Sequence, residues 1–253
     1  MIDTHCHINF DAFDDDREQI LKKSKEKLTA IINSGTSIET NQQVLKLANE
    51  NSNFLYPTFG FHPIESGKTD EQSLNKVINL ITEHLNEIVA IGEVGMDYFY
   101  IKDKKEREKQ GEIFKKFASL ANENEIPLVI HARDCEKKAY NIVKEFKDIP
   151  HTIFHCYSGS LKTAKKLIDN GYYISFSTMI CYSHNHQELV KEIPLENILT
   201  ETDSPYLAPE RGNRNEPINV AKVIEKIAEL KEENISSIDK ITENTAKSVF
   251  GIK

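Results

Sequence analysis

The stretch IVAIGEVGMDYFYIKDKKEREKQGEIFKKFASLANENEIPLVIHAR, residues 88–133, decides the fold. It opens with a short apolar run at 88–95, continues through a polar stretch of helical period at 104–124, and ends in a second β-rich run at 128–132. A strand, a helix and a strand in that order make a βαβ unit, which joins parallel neighbours. The same alternation continues outward in both directions. Strands are expected at 2–7, 28–34, 54–61, 88–95, 128–132, 152–156, 172–176 and 198–203, and helices at 16–27, 38–49, 73–86, 104–124, 136–146, 161–170 and 186–191, with two more after Pro217. Eight βα units in succession predict an α/β fold, a TIM-type (β/α)8 barrel, with residues 1–253 as one domain. A doubly wound sheet is the competitor, but no glycine-rich fingerprint follows the first strand.

Composition narrows the class. At 253 residues the chain fits one such barrel, and 39% hydrophobic with 28% charged residues is the balance of a globular protein. No apolar run approaches the roughly 20 residues that span a bilayer, so no membrane partner is expected. The start Met1-Ile2-Asp3-Thr4-His5 has no basic segment followed by an apolar one, which makes a cytoplasmic address the expectation. Cys6, Cys135, Cys156 and Cys181 are scattered and form no CxxC pair, the pattern of reduced thiols. A formal net charge of −8 repels long polyanions, which excludes a duplex-coating DNA binder but leaves room for a short contact at a local positive site.

The candidate chemistry sits at the carboxyl ends of the strands, where barrel enzymes keep their sites. His5 and His7 flank Cys6, and alternation along a strand sends both imidazoles to one side. Glu93 is expected to end the fourth strand, His131 the fifth, His155 the sixth and Asp203 the eighth. Two ionised acids among four histidines in a barrel mouth are costly without a cation, so these six residues are the candidate metal ligands. His184 and His186 repeat the His-x-His spacing in a polar segment and are expected to lie in a solvated loop. His84 and His151 are taken as structural. Glu201 shares a strand face with Asp203; it either reaches the site or is neutralised inside the barrel by a Lys or Arg.

Six blocks in order carry a resemblance: His5-Cys6-His7 after Asp3-Thr4, Gly60-Phe61-His62-Pro63, Gly92-Glu93-Val94-Gly95-Met96-Asp97-Tyr98, Pro127-Leu128-Val129-Ile130-His131-Ala132-Arg133, His155-Cys156-Tyr157-Ser158-Gly159, and the run from Glu201 through Thr202-Asp203-Ser204-Pro205-Tyr206 to Pro209. Together they resemble the TatD family of metal-dependent deoxyribonucleases, with conservative departures at Val94, Met96 and Tyr157. The resemblance implies a (β/α)8 barrel with two divalent ions; imidazoles favour Zn, Mn, Co or Ni and carboxylates with a phosphate substrate suit Mg or Mn, so Mg or Mn is expected in the working enzyme, with Zn, Co or Ni as possible substitutes. It places His5, His7, Glu93 and Asp203 on one ion and Glu93, His131 and His155 on the other. A bridging glutamate on strand four, in place of a carbamylated lysine, separates it from phosphotriesterase-like relatives.

The expected activity is hydrolysis of DNA phosphodiesters by a metal-activated water, as an exonuclease on single-stranded ends, with no obligate protein partner. Asp203 would take the water's proton, and His62 would contact the phosphate or protonate the leaving oxygen; the alternative for His62 is a turn histidine before Pro63. Arg133 is either a phosphate clamp or the partner of an acid, and Asp97 and Tyr98 are candidates to orient ligands or line the entrance. The loop 204–217, with Tyr206, Arg211 and Arg214, is expected to form a rim over the site or a link to the last helices. The alternative function is hydrolysis of a small-molecule ester, amide or phosphoester on the same site, which the rim arginines disfavour unless the substrate is anionic. A scaffold role for an inactive barrel is disfavoured because no ligand position is missing.

Overall fold

A computed structural model describes residues 1–210 and 212–253. Eight strands form one parallel sheet in chain order. The succession is β1 (Ile2–Cys6), α1 (Arg17–Lys25), β2 (Ala30–Ser34), α2 (Ile38–Glu50), β3 (Leu55–Phe61), a single-turn α3 (Pro63–Ser66), α4 (Glu71–Glu83) and β4 (Ala90–Asp97). It continues with α5 (Lys104–Glu123), β5 (Leu128–Arg133), α6 (Glu136–Val143), β6 (Thr152–Phe154), α7 (Leu161–Asp169), β7 (Tyr173–Phe176), α8 (His184–Glu192), β8 (Ile198–Thr200), α9 (Val220–Lys231) and α10 (Ile235–Phe250). This is the expected (β/α)8 barrel. Helix starts follow ordinary capping chemistry: the side chains of Ser37, Asp70, Asp103 and Ser160 accept the backbone N–H three residues on.

Period-two alternation sorts the strand side chains into two cores. Ile2, Ala30, Ile32, Ala90, Val129, Ile153 and Leu199 meet inside the barrel, and Val249 and Phe250 of α10 join this floor. Ile91, Val94, Leu128 and Ile130 point the other way and pack with Phe114 and Phe117 of α5. Above the apolar floor the inward positions become polar. Ser34, Thr58, Glu93, His131, His155, Ser175 and Glu201 continue the same inward faces toward the carboxyl end. Among the described residues no helix is long and apolar enough to cross a membrane.

Two irregularities aim the inner side chains. Phe59 pairs with Ile91 and Phe61 with Val94, while Ile91 pairs with Leu128 and Val94 with Ile130, so β4 carries one residue more than either neighbour. This bulge turns Glu93 inward while Ile91 and Val94 both stay in the outer core. A similar shift lies between Asp3 and Cys6 of β1, which face Ile31 and Asn33. The Asp3 carboxylate braces that bulge by accepting the backbone N–H groups of His5 (3.3 Å) and Thr202 (2.9 Å) and the Thr202 hydroxyl (2.6 Å). The seam between β8 and β1 is held by further hydrogen bonds. The Thr4 hydroxyl donates to the Thr200 carbonyl (3.0 Å), Asp203 N–H to the His5 carbonyl (2.9 Å) and His7 N–H to the Ser204 carbonyl (2.8 Å).

The structure corrects some expectations. β4 does not end at Glu93 but runs on to Asp97. His155 and Asp203 lie just beyond strands that stop at Phe154 and Thr200. His184 and His186 are the first turn of α8 rather than a loop, and His186 is buried with its Nδ1 2.7 Å from the Ser183 hydroxyl. Arg211 lies outside the described residues.

Gly60 makes the β4 bulge possible. A Cβ there would stand 2.2 Å from the Glu93 nitrogen and 2.4 Å from its carbonyl oxygen, with no rotamer able to relieve the clash. Gly60→Ala is therefore expected to cost roughly 3 kcal/mol or more in urea unfolding. Gly171→Ala, at φ +75 with no atom within 4 Å, is expected to cost about 1 to 2 kcal/mol. Equal losses would contradict this role for Gly60.

Candidate active site

Glu93, 3% exposed, stands at the centre of the barrel mouth. Its Oε1 lies 2.6 Å from His131 Nδ1, 2.8 Å from His155 Nε2 and 3.4 Å from His62 Nε2, while its Oε2 lies 3.4 Å from His5 Nε2 and 3.6 Å from His7 Nε2. Asp203 closes the ring from the other side, with Oδ1 3.5 Å from His7 Nε2 and 3.8 Å from His5 Nε2. The structure thus brings together all six candidate ligands and His62. His5 and His7 converge as expected, their Nε2 atoms 3.3 Å apart, although β1 is bulged between Asp3 and Cys6.

Electrostatics follows from this crowding. Burial favours the neutral acid at Glu93, but the His155 and His62 charges and the hydrogen bonds of His131 and His155 outweigh it and hold the carboxyl well below its usual range. Asp203 is lowered against its own burial by the His7 contact and the charges of His5 and His7. Burial lowers His5 and His62. At His7, His131 and His155 burial is overcome by the neighbouring carboxylates, and these imidazoles are raised. A site that holds two anions ionised among several imidazoles suits divalent cations.

Each imidazole is fixed from behind. His7 Nδ1 lies 2.9 Å from the Ser34 carbonyl, an acceptor only, so Nδ1 carries a proton and Nε2 is the nitrogen left facing inward. His5 Nδ1 lies 3.1 Å from the Ser34 hydroxyl, which accepts from Thr58. His131 Nε2 lies 3.2 Å from Asp97 Oδ2. His155 Nδ1 lies 3.6 Å from Glu201 Oε1, and neither atom has a hydrogen-bond partner among the described residues. The other Glu201 oxygen accepts from the Ser175 hydroxyl at 2.5 Å. Glu201 therefore faces the site, not a Lys or Arg. Carboxylates behind imidazoles are the usual support of metal ligands.

The inward donor set fits divalent ions. Facing ring nitrogens 3.3 and 3.1 Å apart, in the His5–His7 and His131–His155 pairs, with carboxylate oxygens beside them, are what a shared cation relieves. Groups whose ligand atoms lie within 4.8 Å of one another include His5, His7 and Glu93; His62, Glu93 and His131; and His5, His155 and Glu201. Glu93, His131 and His155 also stand together, at 2.6, 2.8 and 3.1 Å, so His62 and Glu201 are neighbours added to the expected division.

Other expectations divide. Asp97 reaches the site through His131, but Tyr98 turns away, its ring under Arg107 and its hydroxyl accepting from Lys138 at 2.6 Å. Arg214 is not free on the rim: it donates to both Asp16 oxygens and the Ala12 carbonyl and stacks on Phe13. Among the described residues Arg133 makes no ion pair within 4 Å, although its charge helps hold Asp97 ionised; its guanidinium carbon sits 3.9 Å from the Phe99 ring centre and 5.2 Å from that of Tyr100. Phe10, stacked 4.5 Å from His7, and Ser34 were not singled out in the sequence. Ser34 was accessible through its alternation with Ile32; Phe10 lies beyond the strand, where no period applies.

Comparison with known proteins agrees with this geometry. The chain matches the family described as TatD related DNase over residues 2–251. It is 44% identical over 247 residues to an uncharacterized metal-dependent hydrolase of Methanocaldococcus jannaschii, covering 97% of this chain and 95% of that one. Human deoxyribonuclease TATDN3 is 27% identical over 259 residues, covering 99% and 94%. The crystal structure of YjjV, a TatD homologue from Escherichia coli K12, superposes with a TM-score of 0.91 at 30% identity, covering 100% and 98%.

If Glu201 orients His155, Glu201→Gln is expected to weaken Mn²⁺ binding about 10- to 100-fold in calorimetric titration. Wild-type affinity in that variant would show that the Glu201–His155 approach does not matter to the ion.

Proposed function

Because the chain belongs to the TatD-related DNase family of metal-dependent hydrolases, we propose that it hydrolyses DNA phosphodiesters, as an exonuclease acting on single-stranded ends. The observation that carries this reading is the ionised, buried Glu93 ringed by imidazoles and opening past Asp203 to the barrel mouth. His5, His7, Glu93, His131, His155 and Asp203 would hold two divalent ions, with Glu93 common to both. Such ions supply a water nucleophile at neutral pH and offset charge on the phosphate.

The remaining steps belong to side chains. Asp203 is 17% exposed against 3% for Glu93, and it is the carboxylate that an incoming water meets. It is the acceptor for the water's proton, because the His7 contact and the His5 and His7 charges hold it ionised and so able to take one. His62 Nδ1 accepts the Ile64 N–H at 3.3 Å, which leaves the proton on Nε2, 3.4 Å from Glu93 Oε1. Burial lowers this imidazole against the pull of Glu93, and its Nε2–H would serve as a hydrogen-bond donor to a phosphate oxygen. A net charge of −8 favours a short contact with a chain end over a long contact with a duplex interior.

The test is cleavage of an end-labelled single-stranded oligonucleotide with Mg²⁺ or Mn²⁺ and with chelator. A stepwise ladder is expected from the wild type with metal, and Glu93→Ala is expected to lose at least about 10³-fold in rate while keeping its barrel circular dichroism. Turnover of a small phosphodiester with no oligonucleotide cleavage would move the assignment to a small-molecule hydrolase.

A further inference from the structure

The mouth of the barrel carries large aromatic side chains that no core absorbs. Phe99 is 44% exposed, Tyr100 60% and Tyr206 56%. Phe99 and Tyr100 follow β4 directly, and their rings meet edge to face at 4.9 Å. The Tyr100 N–H donates to Asp97 Oδ1 at 2.7 Å, which ties this pair to the carboxylate behind His131. Tyr206 follows Asp203 by three residues, and its N–H donates to the Asp203 carbonyl at 2.9 Å. Its ring leans on Phe10 at 6.3 Å, and Phe10 stacks on His7. Aromatic rings thus flank the metal-competent cluster on both the β4–β5 and the β8–β1 sides.

Arg133 completes the arrangement. Its guanidinium lies against both Phe99 and Tyr100 and, among the described residues, makes no hydrogen bond or ion pair, which leaves its N–H fork available. Arg214 is spent on Asp16. With a net charge of −8 the average surface repels a polyanion, which therefore needs another source of grip. Ring faces provide one, because every base has a π-face and stacking carries no charge requirement.

We propose that Tyr100 with Phe99 on one side and Tyr206 on the other form a stacking clamp for the unpaired bases of a single-stranded nucleic acid end, with Arg133 taking one of its phosphates. The inference rests on the nuclease reading and adds how the strand is selected: a base held in a duplex keeps at least one face covered by its neighbour and cannot be held between rings on two sides. Selectivity for single strands then comes from rings, and affinity depends only weakly on salt.

The clamp is tested by anisotropy titration of the Mn²⁺-loaded full-length protein with a fluorescein-labelled, phosphorothioate single strand and the matching duplex at several KCl concentrations. Tyr100→Ala and Tyr206→Ala are each expected to weaken single-strand binding at least about fivefold with no change in salt slope, and Tyr100→Phe to restore it. Arg133→Gln is expected to reduce the slope of log K against log salt by about 0.7, one phosphate contact. Single-strand binding within twofold of wild type in both alanine variants, or a duplex bound as tightly as the single strand, would overturn the clamp. Cleavage of the unmodified strand, run alongside, separates the two readings. Wild-type cleavage with unaffected alanine variants overturns the clamp alone, and a wild type that neither binds nor cuts overturns the nuclease reading and the clamp with it.

Discussion

An ionised carboxylate buried to 3% exposure is the constraint around which this barrel is arranged. Removing Glu93 from water costs several kcal/mol unless opposite charge and hydrogen bonds surround it. Imidazoles of His5, His7, His62, His131 and His155 all approach it within 3.6 Å, from four different strands or strand ends. Such convergence requires the β4 bulge, and the bulge in turn requires the empty Cβ position of Gly60. A backbone irregularity and a missing methyl group thus set the electrostatics of the mouth.

The rest of the upper barrel keeps those imidazoles in place. Ser34 holds His5 and His7, Asp97 holds His131, and Glu201 faces His155, so each ring has one nitrogen assigned outward and one left for the centre. Asp3, bonded to Thr202 across the seam, fixes the two chain segments that bring His5 and Asp203 together. Below this polar layer an apolar floor sealed by α10 gives the rigidity that preorganised ligands need. Above it the loops are free to vary, and in this chain they present Phe10, Phe99, Tyr100 and Tyr206.

Much of this was legible in the sequence because it follows short-range rules. Period-two runs bounded by helical stretches located the eight strands, and residues at strand ends named the six candidate ligands. What escaped depended on registry or on distance along the chain. The bulge at Glu93 has no local signature, since the run from Ala90 to Asp97 reads as ordinary strand and only its pairing with β3 and β5 reveals the extra residue. Arg214 looked free on the rim because its partner Asp16 lies 198 positions away. His186 looked solvated because polar neighbours in sequence said nothing of the helices that bury it. Asp203 and His155 sit past the last ladder residues of their strands, and Asp203 adopts a left-handed φ of 58, which alternation does not anticipate. The aromatic rim was similarly hidden, because Phe99 and Tyr100 read as loop and only folding sets them beside Arg133.

The central claim is that Glu93 is the shared ligand of two divalent ions, and anomalous diffraction from crystals of the Mn²⁺-soaked protein tests it most directly. The account predicts two anomalous peaks flanking Glu93, one against His5, His7 and Asp203 and the other against His131 and His155. A single peak, or an ion bound between His155 and Glu201 with Glu93 uninvolved, would contradict it.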